Sequence, residues 1–262
     1  MLDRSPIAIL PELATHPVAQ ESYRRSHLGR GDEYDATLAS SPFDDYLSRA
    51  EAHYLGRLLG TVLPARMGRY LDFACGTGRI TRQLESRADE SFGVDISPSM
   101  LRAARTRCRF TEFVHADLTN LTRDTQELSG FDVVTAFRFF GNAEPALRRD
   151  SLAAINRALR NGGHLILDNH RNPHALAQWA QRLTGGHSRL TLSYFELRRL
   201  LRQAGFRIRW QRPIGFWLYR TGLYANLRSV NPAAWPENVF GHSWFAPLAP
   251  NVIIAAEKIH AA

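Results

Sequence analysis

The chain has 262 residues, of which 44% are hydrophobic and 22% are charged, and its formal net charge is +8. This composition is typical of a globular protein with one sizeable core, and it excludes collagen-like and disordered classes. No apolar run approaches the roughly 18 residues of a membrane-spanning helix, and the N-terminal residues lack the continuous apolar stretch of a secretory signal. We therefore expect a cytoplasmic protein.

The positive charge comes almost entirely from arginines scattered along the chain, since Lys258 is the only lysine. Nucleic-acid-binding proteins usually gather cations in a stripe with stacking aromatic residues. The sequence shows no such stripe, so a nucleic-acid partner is not predicted. Cys75 and Cys108 are too few for a disulfide framework and have no metal-ligand spacing, so no metal site is expected either.

The chain begins with a region that lacks strand periodicity. Its clearest pattern is the helical apolar spacing of FDDYLSRAEAHYLGRLLGTVL. We interpret residues 1–67 as an N-terminal helical cap and residues 68–262 as the main domain.

From Gly68 onward, short apolar runs alternate with helical patterns. The predicted strands are YLDFAC, SFGVDIS, FTEFVHAD, FDVVTAFRF, HLILDN, RIRWQRP and NVIIAAEKI. The predicted helices are GRITRQLESR, PSMLRAARTR, EPALRRDSLAAINRALR and SYFELRRLLRQAGF, with a further helical stretch around 174–184. Pro98 and Ser193 are start signals, whereas Gly205 and the Asn-Gly-Gly at 161–163 are stop signals. This alternation predicts an α/β fold with a doubly wound, mainly parallel seven-stranded sheet.

An insertion over residues 214–249 separates the last two predicted strands and is rich in aromatic residues. Such a segment suits a sizeable apolar or ring-shaped ligand, or a sugar stacked on an indole. Its aromatic residues could equally form a packing layer between the insertion and the cap. With Arg220 and Arg228 it could also form a peripheral membrane contact.

The most informative stretch is RYLDFACGTGRITR at 69–82, where a strand ends in a glycine turn before a helix. Glycines at such a turn let the backbone approach a ligand closely. The dinucleotide fingerprint would need a third glycine where Thr81 stands, and the phosphate-cradling loop would need a lysine. Both phosphate-binding interpretations are therefore weakened.

Three acidic residues lie at three successive strands. Asp72 suits an ammonium group, Asp95 can bind both hydroxyls of a ribose, and Asp117 can accept from an adenine amino group. A ligand with an amine, a ribose and an adenine but no phosphate is S-adenosylmethionine. We therefore predict this cofactor.

With these residues the sequence resembles the class I S-adenosylmethionine-dependent methyltransferases of Rossmann-like fold. Five motifs carry the resemblance, in order: LDFACGTGRIT, GVDISPSML, HADL, FDVVTAFRFFGNA and ALRNGGHLILDN. It covers about residues 68–213 and the last strand. The fifth motif often has proline before its two glycines, where this chain has Asn161.

The resemblance implies roles for individual residues. Asp72 would lie near the methionine amine, Asp95 would hold the ribose, and Asp117 with Leu118 would flank the adenine. The remaining cofactor contacts would come from the glycine turn, from apolar residues, from the end of the fourth strand and from a leading segment that closes over the cofactor: Ala74, Gly76, Gly78, Ile96, Met100, Ala136, Phe137 and Tyr34. Ile96 and Met100 could equally serve the core, and Tyr46 is a second tyrosine of the leading segment.

Methyl transfer requires mainly that an acceptor is aligned with the sulfonium and that water is excluded. If the acceptor is a hydroxyl, a base helps to remove its proton. We predict His170 as that base because its ordinary pKa suits proton acceptance near neutrality, with an exposed loop histidine as the alternative. Arg138 and Asn142 would orient the acceptor by hydrogen bonds, or would simply satisfy loop carbonyls.

The predicted function is O-methylation of a small-molecule, sugar or aromatic acceptor by in-line transfer. Two alternatives stay open, namely an RNA methyltransferase and a methyltransferase-like binding protein without turnover. The sequence is compatible with a monomer or a homodimer.

Overall fold

The computed structural model describes residues 42–120, 127–170, 172–175, 192–215, 241 and 243–259. These residues form one seven-stranded sheet with helices on both faces. The strands are β1 Met67–Phe73, β2 Ala88–Asp95, β3 Thr111–His115, β4 Phe131–Ala136, β5 Leu159–His170, β6 Phe206–Ile214 and β7 Asn251–Lys258. The helices are α1 Pro42–Leu58, α2 Thr81–Leu84, α3 Pro98–Arg107, α4 Pro145–Ala158 and α5 Tyr194–Gln203.

The strands lie in the order β3-β2-β1-β4-β5-β7-β6. β7 is antiparallel to both of its neighbours, whereas the other described pairs are parallel. The order reverses between β1 and β4, because the chain moves outward to β3 and then returns. In open α/β sheets a ligand cleft forms outside the carboxyl ends of the strands at such a reversal.

Alternating strand residues build a separate apolar core on each face of the sheet. On β5, Leu165 and Leu167 belong to the core under α4 and α5, whereas Ile166 belongs to the core under α1. The buried residues of α1 recur at helical spacing and include Tyr46, Ala50, Tyr54 and Leu58. The second part of the predicted cap is therefore a helix packed on the sheet, and Tyr46 is part of that packing.

The predicted helix ends are confirmed where a capping residue is present. Ser193 accepts a hydrogen bond from the Glu196 N–H, and Pro98 begins α3 after the cap Ser97. Gly205 follows α5 with φ +79°, a conformation that favours glycine. The prediction that this helix ends at residues 161–163 is wrong, because α4 ends at Ala158 and β5 already begins at Leu159. Its middle residue, Gly162, still has φ +72°.

The helix predicted over 78–87 is also shorter than expected, since only Thr81–Leu84 is α-helical and Glu85–Arg87 is a 3₁₀ turn. The buried Glu85 carboxylate accepts the backbone N–H groups of Arg109 and Phe110 and the Thr111 hydroxyl. This tertiary anchor ends the helix early. None of the described helices has the length and apolar character needed to cross a membrane.

Most of the aromatic insertion lies outside the described residues. Ile214 still belongs to β6, and Ser243–Leu248 form a 3₁₀ helix before β7. Asn172 fixes this helix, because its side-chain amide donates to Pro247 O at 2.8 Å and to Ala249 O at 2.9 Å. Trp244 is 88% exposed, whereas Phe245 packs against the core.

Candidate active site

A cleft opens where the strand order reverses, at the carboxyl ends of β1, β2 and β4. It encloses about 960 Å³ of non-protein space, including solvent at its mouth. Most of the residues predicted to bind the cofactor line it: Asp72, Ala74, Gly76, Asp95, Ile96, Met100, Asp117, Leu118 and Phe137. The fold thus brings together residues from four separate stretches of the sequence.

The turn after β1 has a left-handed backbone at three alternate residues. The φ angles are +52° at Ala74, +54° at Gly76 and +75° at Gly78. A Cβ atom on Gly78 would lie 2.9 Å from Cys108 Sγ and 3.2 Å from Ala104 Cβ, so this glycine allows α3 to pack closely. A Cβ on Gly76 would meet no atom within 4 Å. Gly78 therefore has a packing role, while Gly76 borders open space in the cleft.

Asp72 is a buried carboxylate that also lines the cleft. Its Oδ2 accepts from the Thr81 hydroxyl at 2.5 Å, and its Oδ1 accepts from the Thr135 hydroxyl at 2.7 Å. Burial raises the pKa of Asp72 to about 6, because the two hydroxyl donors and the Arg79 charge only partly offset the lost hydration. An ammonium group in the cleft would stabilise the ionised form.

Asp95 and Asp117 are held by local hydrogen bonds. Asp95 Oδ2 accepts the Gly76 N–H and Oδ1 accepts the Ser97 N–H, both at 2.9 Å, so this carboxylate ties the glycine turn to the start of α3. Asp117 Oδ1 accepts from both the N–H and the hydroxyl of Thr119. Each carboxylate oxygen has two lone-pair sites, and Thr119 uses both of those on Asp117 Oδ1.

Two of the described cofactor-binding candidates do not line the cleft. Gly78 lies behind the turn against α3, and Ala136 is fully buried within β4 among the core residues under α4. Tyr34 lies outside the described residues.

Arg138, predicted to orient the acceptor, lines the cleft but is held by α1. Its guanidinium donates to Asp44 Oδ1 at 2.9 Å and its Nε lies 3.7 Å from Glu51 Oε1. Glu51 also pairs with Arg79, which lines the cleft next to the glycine turn. Glu51 is only 2% exposed, so two arginines of the cleft share one buried carboxylate on α1.

His170 and Asn142 are not among the described residues that line the cleft, but they adjoin it through Arg138. Asn142 Nδ2 donates to Arg138 O at 2.8 Å. His170 Nδ1 lies 3.3 Å from Asp168 Oδ2, and Asp168 Oδ1 accepts the Arg138 N–H at 2.5 Å. Burial alone would raise the pKa of Asp168, but His170 and this N–H lower it below its ordinary value.

Buried side-chain polar atoms without a hydrogen-bond partner are concentrated at the same end of the sheet. Of the seven such atoms in the described part of the chain, three belong to Asn169 and Asn251, and a fourth, His170 Nδ1, contacts the Asp168 carboxylate at 3.3 Å without hydrogen-bond geometry. His170 and Asn251 are direct register partners on the antiparallel β5–β7 pair, so their side chains lie on one face. Buried polar groups of this kind call for an explanation, and a bound ligand is one.

Sequence reasoning missed several residues that the structure places in the site. Thr81 and Thr135 hold Asp72, while Glu51 and Arg79 join α1 to the glycine turn. Thr81 was noted only as the residue that replaces a glycine. The Glu51–Arg79 contact joins residues 28 positions apart and the Asp72–Thr135 contact joins residues 63 positions apart, so neither leaves a local pattern in the sequence.

The fold and the cleft are typical of α/β proteins that bind an adenosine-containing cofactor where the strand order reverses. A methyltransferase domain family model matches residues 71–163. Over these residues, about a third of the chain, the protein is similar to methyltransferases. The cleft fits S-adenosylmethionine: Asp72 would offset an ammonium charge, the space at Gly76 is open, and Ile96 and Leu118 supply apolar walls.

Known proteins show similarity over the same region. The demethylmenaquinone methyltransferase of Thermotoga maritima is 31% identical over 113 residues, which are 42% of this chain and 47% of that protein. The chain spans about a third to a half of the length of the curated relatives it matches, at 36% and 47% for two of them.

Two solved structures share the fold. The complex of the Haloferax volcanii Trm112 methyltransferase activator with a putative methyltransferase matches at TM-score 0.57 and 22% identity, over 88% of this chain and 98% of that one. The N-methyltransferase NodS of Bradyrhizobium japonicum, solved with S-adenosyl-L-homocysteine, matches at TM-score 0.55 and 14% identity, over 86% and 91%.

Proposed function

We propose that this protein transfers a methyl group from S-adenosylmethionine to a hydroxyl oxygen of a small-molecule or glycan-type acceptor. The observation that carries the proposal is the set of three carboxylates, Asp72, Asp95 and Asp117, that line one cleft at successive strands. No phosphate-binding loop accompanies them in the described part of the chain. This arrangement suits a cationic nucleoside better than a nucleotide.

On the cofactor side of the cleft, each of the three carboxylates would contact a different part of the ligand. Asp72 would bind the ammonium group, Asp95 would accept from the ribose hydroxyls, and Asp117 would accept from the adenine amino group. When bound, S-adenosylmethionine supplies an activated methyl group on a good leaving group. The residues of the chain therefore have to position the acceptor and exclude water.

The acceptor side would be formed by the ends of β4 and β5. A hydroxyl acceptor aligned with the methyl group of the cofactor would give its proton to His170 as its oxygen is methylated. Asp168 lies close enough to His170 Nδ1 to orient the ring and to stabilise its charged form. Asn251, opposite His170, has a buried Nδ2 without a described partner and could donate to a second oxygen of the acceptor.

The first test is calorimetric titration of S-adenosylmethionine and S-adenosylhomocysteine into the purified protein. We expect micromolar binding and at least a tenfold loss in Asp95→Asn, which keeps one acceptor oxygen but cannot accept from two ribose hydroxyls as a carboxylate does. Asn is preferred to Ala because its single carbonyl oxygen can still accept from one of the two backbone N–H groups that Asp95 anchors, those of Gly76 and Ser97. A folded protein that binds neither compound at millimolar concentration would exclude the proposal.

Turnover is tested separately with a labelled methyl donor and a panel of hydroxyl, amine and RNA acceptors. Transfer to a small hydroxyl compound, with a large loss in His170→Ala, supports the proposal. Transfer to RNA would instead establish an RNA methyltransferase. Cofactor binding without transfer to any acceptor would favour a binding protein.

Cofactor affinity should depend on pH through Asp72. Because burial raises the pKa of Asp72 to about 6, acidification through that pH neutralises the carboxylate and removes its attraction for the ammonium group. We expect affinity to fall by up to about tenfold per pH unit below 6, as linkage to one proton requires. Titrations between pH 5 and 8 measure this slope, and Asp72→Asn should bind weakly with little pH dependence.

The raised pKa of Asp72 also affects the stability of the cofactor-free protein, and this effect changes with pH in the direction opposite to that of cofactor affinity. A carboxyl group whose pKa is raised on folding favours the protonated folded form, so ionisation lowers the free energy of unfolding as the pH rises from about 4 through 6.

A cofactor affinity that is flat across pH 6 would show that Asp72 does not contact the ammonium group.

A further inference from the structure

A cationic groove lies on the sheet edge away from the cofactor cleft. It runs between α5 and the edge strand β6 and reaches Ile259 after β7. It is lined by Phe195, Arg198, Arg199, Leu201, Arg202, Phe206, Arg207, Ile208 and Ile259. Four of the nine lining residues are arginines and none is acidic, although the arginines are scattered along the sequence. The fold therefore gathers charge from two elements into one surface.

The helix presents these side chains as one stripe. Phe195, Arg198, Arg199 and Arg202 occupy positions i, i+3, i+4 and i+7 of α5, which share one face of a helix. All four are exposed, and Phe195 is 56% exposed although it is a large apolar residue. The opposite face of α5 is buried through Leu197 and Leu201, so the stripe has to face outward.

The groove arginines differ from many others in the chain by their lack of partners. Arg79, Arg138, Arg148 and Arg160 each pair with a carboxylate. None of the four groove guanidinium groups has a hydrogen bond or ion pair to a residue in the described ranges, and that of Arg198 stacks over the Tyr194 ring at 5.7 Å. Their charge is not neutralised within this part of the protein.

We propose that this groove binds single-stranded RNA. Guanidinium groups match phosphate oxygens with two parallel hydrogen bonds, and an exposed phenyl ring beside them offers a stacking surface for an unpaired base. A cationic groove with an exposed aromatic ring is the combination that single-strand binding requires. An acidic protein surface would use the arginines but would not need the stacking ring.

The groove is independent of the cofactor cleft. Residues 206–208 of β6 pair with the end of β7 opposite the amino-terminal half of β5, near His164. From His164 to the cleft end of β5 at His170 the strand runs for about 20 Å, at roughly 3.3 Å per residue. RNA in the groove would therefore leave the cofactor site accessible, and the proposal does not depend on the identity of the methyl acceptor.

The test is fluorescence anisotropy with a labelled single-stranded RNA of about 12 nucleotides, a typical site size, at several salt concentrations. The groove variant Arg199→Gln/Arg202→Gln should bind about tenfold more weakly, and its salt slope should decrease by about 1.4, since each phosphate contact on a single strand contributes roughly 0.7. Phe195→Ala should also bind about tenfold more weakly, but with an unchanged slope, because stacking releases no counterions.

The matched control is Arg87→Gln/Arg102→Gln, which removes two exposed arginines, one in the 3₁₀ turn before β2 and one on α3, and should change RNA binding less than twofold. Cofactor affinity by titration and the circular dichroism spectrum should be the same in all variants as in the wild type. RNA binding can then fail without affecting the methyl-transfer proposal, and the reverse. Absent RNA binding, an equal loss in control and groove variants, or tighter binding of a glutamate-rich peptide than of RNA would each overturn the proposal.

Discussion

Glu51→Gln should lower the free energy of unfolding by about 3 kcal/mol. The Glu51 carboxylate is buried between Arg79 and Arg138, and removing one partner of a buried ion pair leaves uncompensated charge in a poorly hydrated site. Urea denaturation of the wild-type and variant proteins measures the change. Cofactor affinity should fall as well, since both arginines line the cleft.

The control lies on the same helix. Asp45 pairs with Arg49 at 3.1 Å, but both side chains are well exposed, so Asp45→Asn should cost less than about 1 kcal/mol. Equal effects of the two substitutions would show that burial of Glu51 contributes nothing, and that α1 is held to the sheet by its apolar face alone.

Gly78→Ala and Gly76→Ala should separate stability from cofactor binding within one turn. Both residues have a left-handed backbone, which costs an alanine about 1 kcal/mol. At Gly78 the new methyl group would also overlap Cys108 and Ala104 on the α3 side, so the total loss of stability should be about 3 kcal/mol.

At Gly76 the methyl group would enter open space in the cleft, so stability should fall by only about 1 kcal/mol. That space is where the cofactor is proposed to bind, and its affinity should fall at least a hundredfold. Thermal denaturation and calorimetric titration of both variants give the two quantities. If Gly76→Ala binds S-adenosylmethionine as the wild type does, the cofactor does not approach this turn.

The sequence predicts well those features that local patterns determine. The strands around the glycine turn, the caps at Ser193 and Gly205 and the seven-stranded α/β fold follow from apolar spacing and capping chemistry. The acids Asp72, Asp95 and Asp117 could be placed in one cleft because carboxyl ends of parallel strands share an edge of the sheet.

Other features depend on contacts between distant residues and could not be predicted. The early end of α2 follows from Glu85 binding the chain at Arg109 and Phe110, and α4 ends before its predicted glycine stop because β5 already pairs from Leu159. The role of Arg138 at the acceptor stays a prediction, and no local pattern links its guanidinium to Asp44 on α1, 94 positions away.

The central position of β7 constrains the order in which the chain can fold during synthesis. β5 and β6 lie on either side of β7 and are joined in the described sheet only through it. A ribosome has already made the glycine turn, the three acids and β6 when residues 251–258 appear. The cofactor half can therefore assemble first, while β5 and β6 keep unpaired edges until the last strand enters between them.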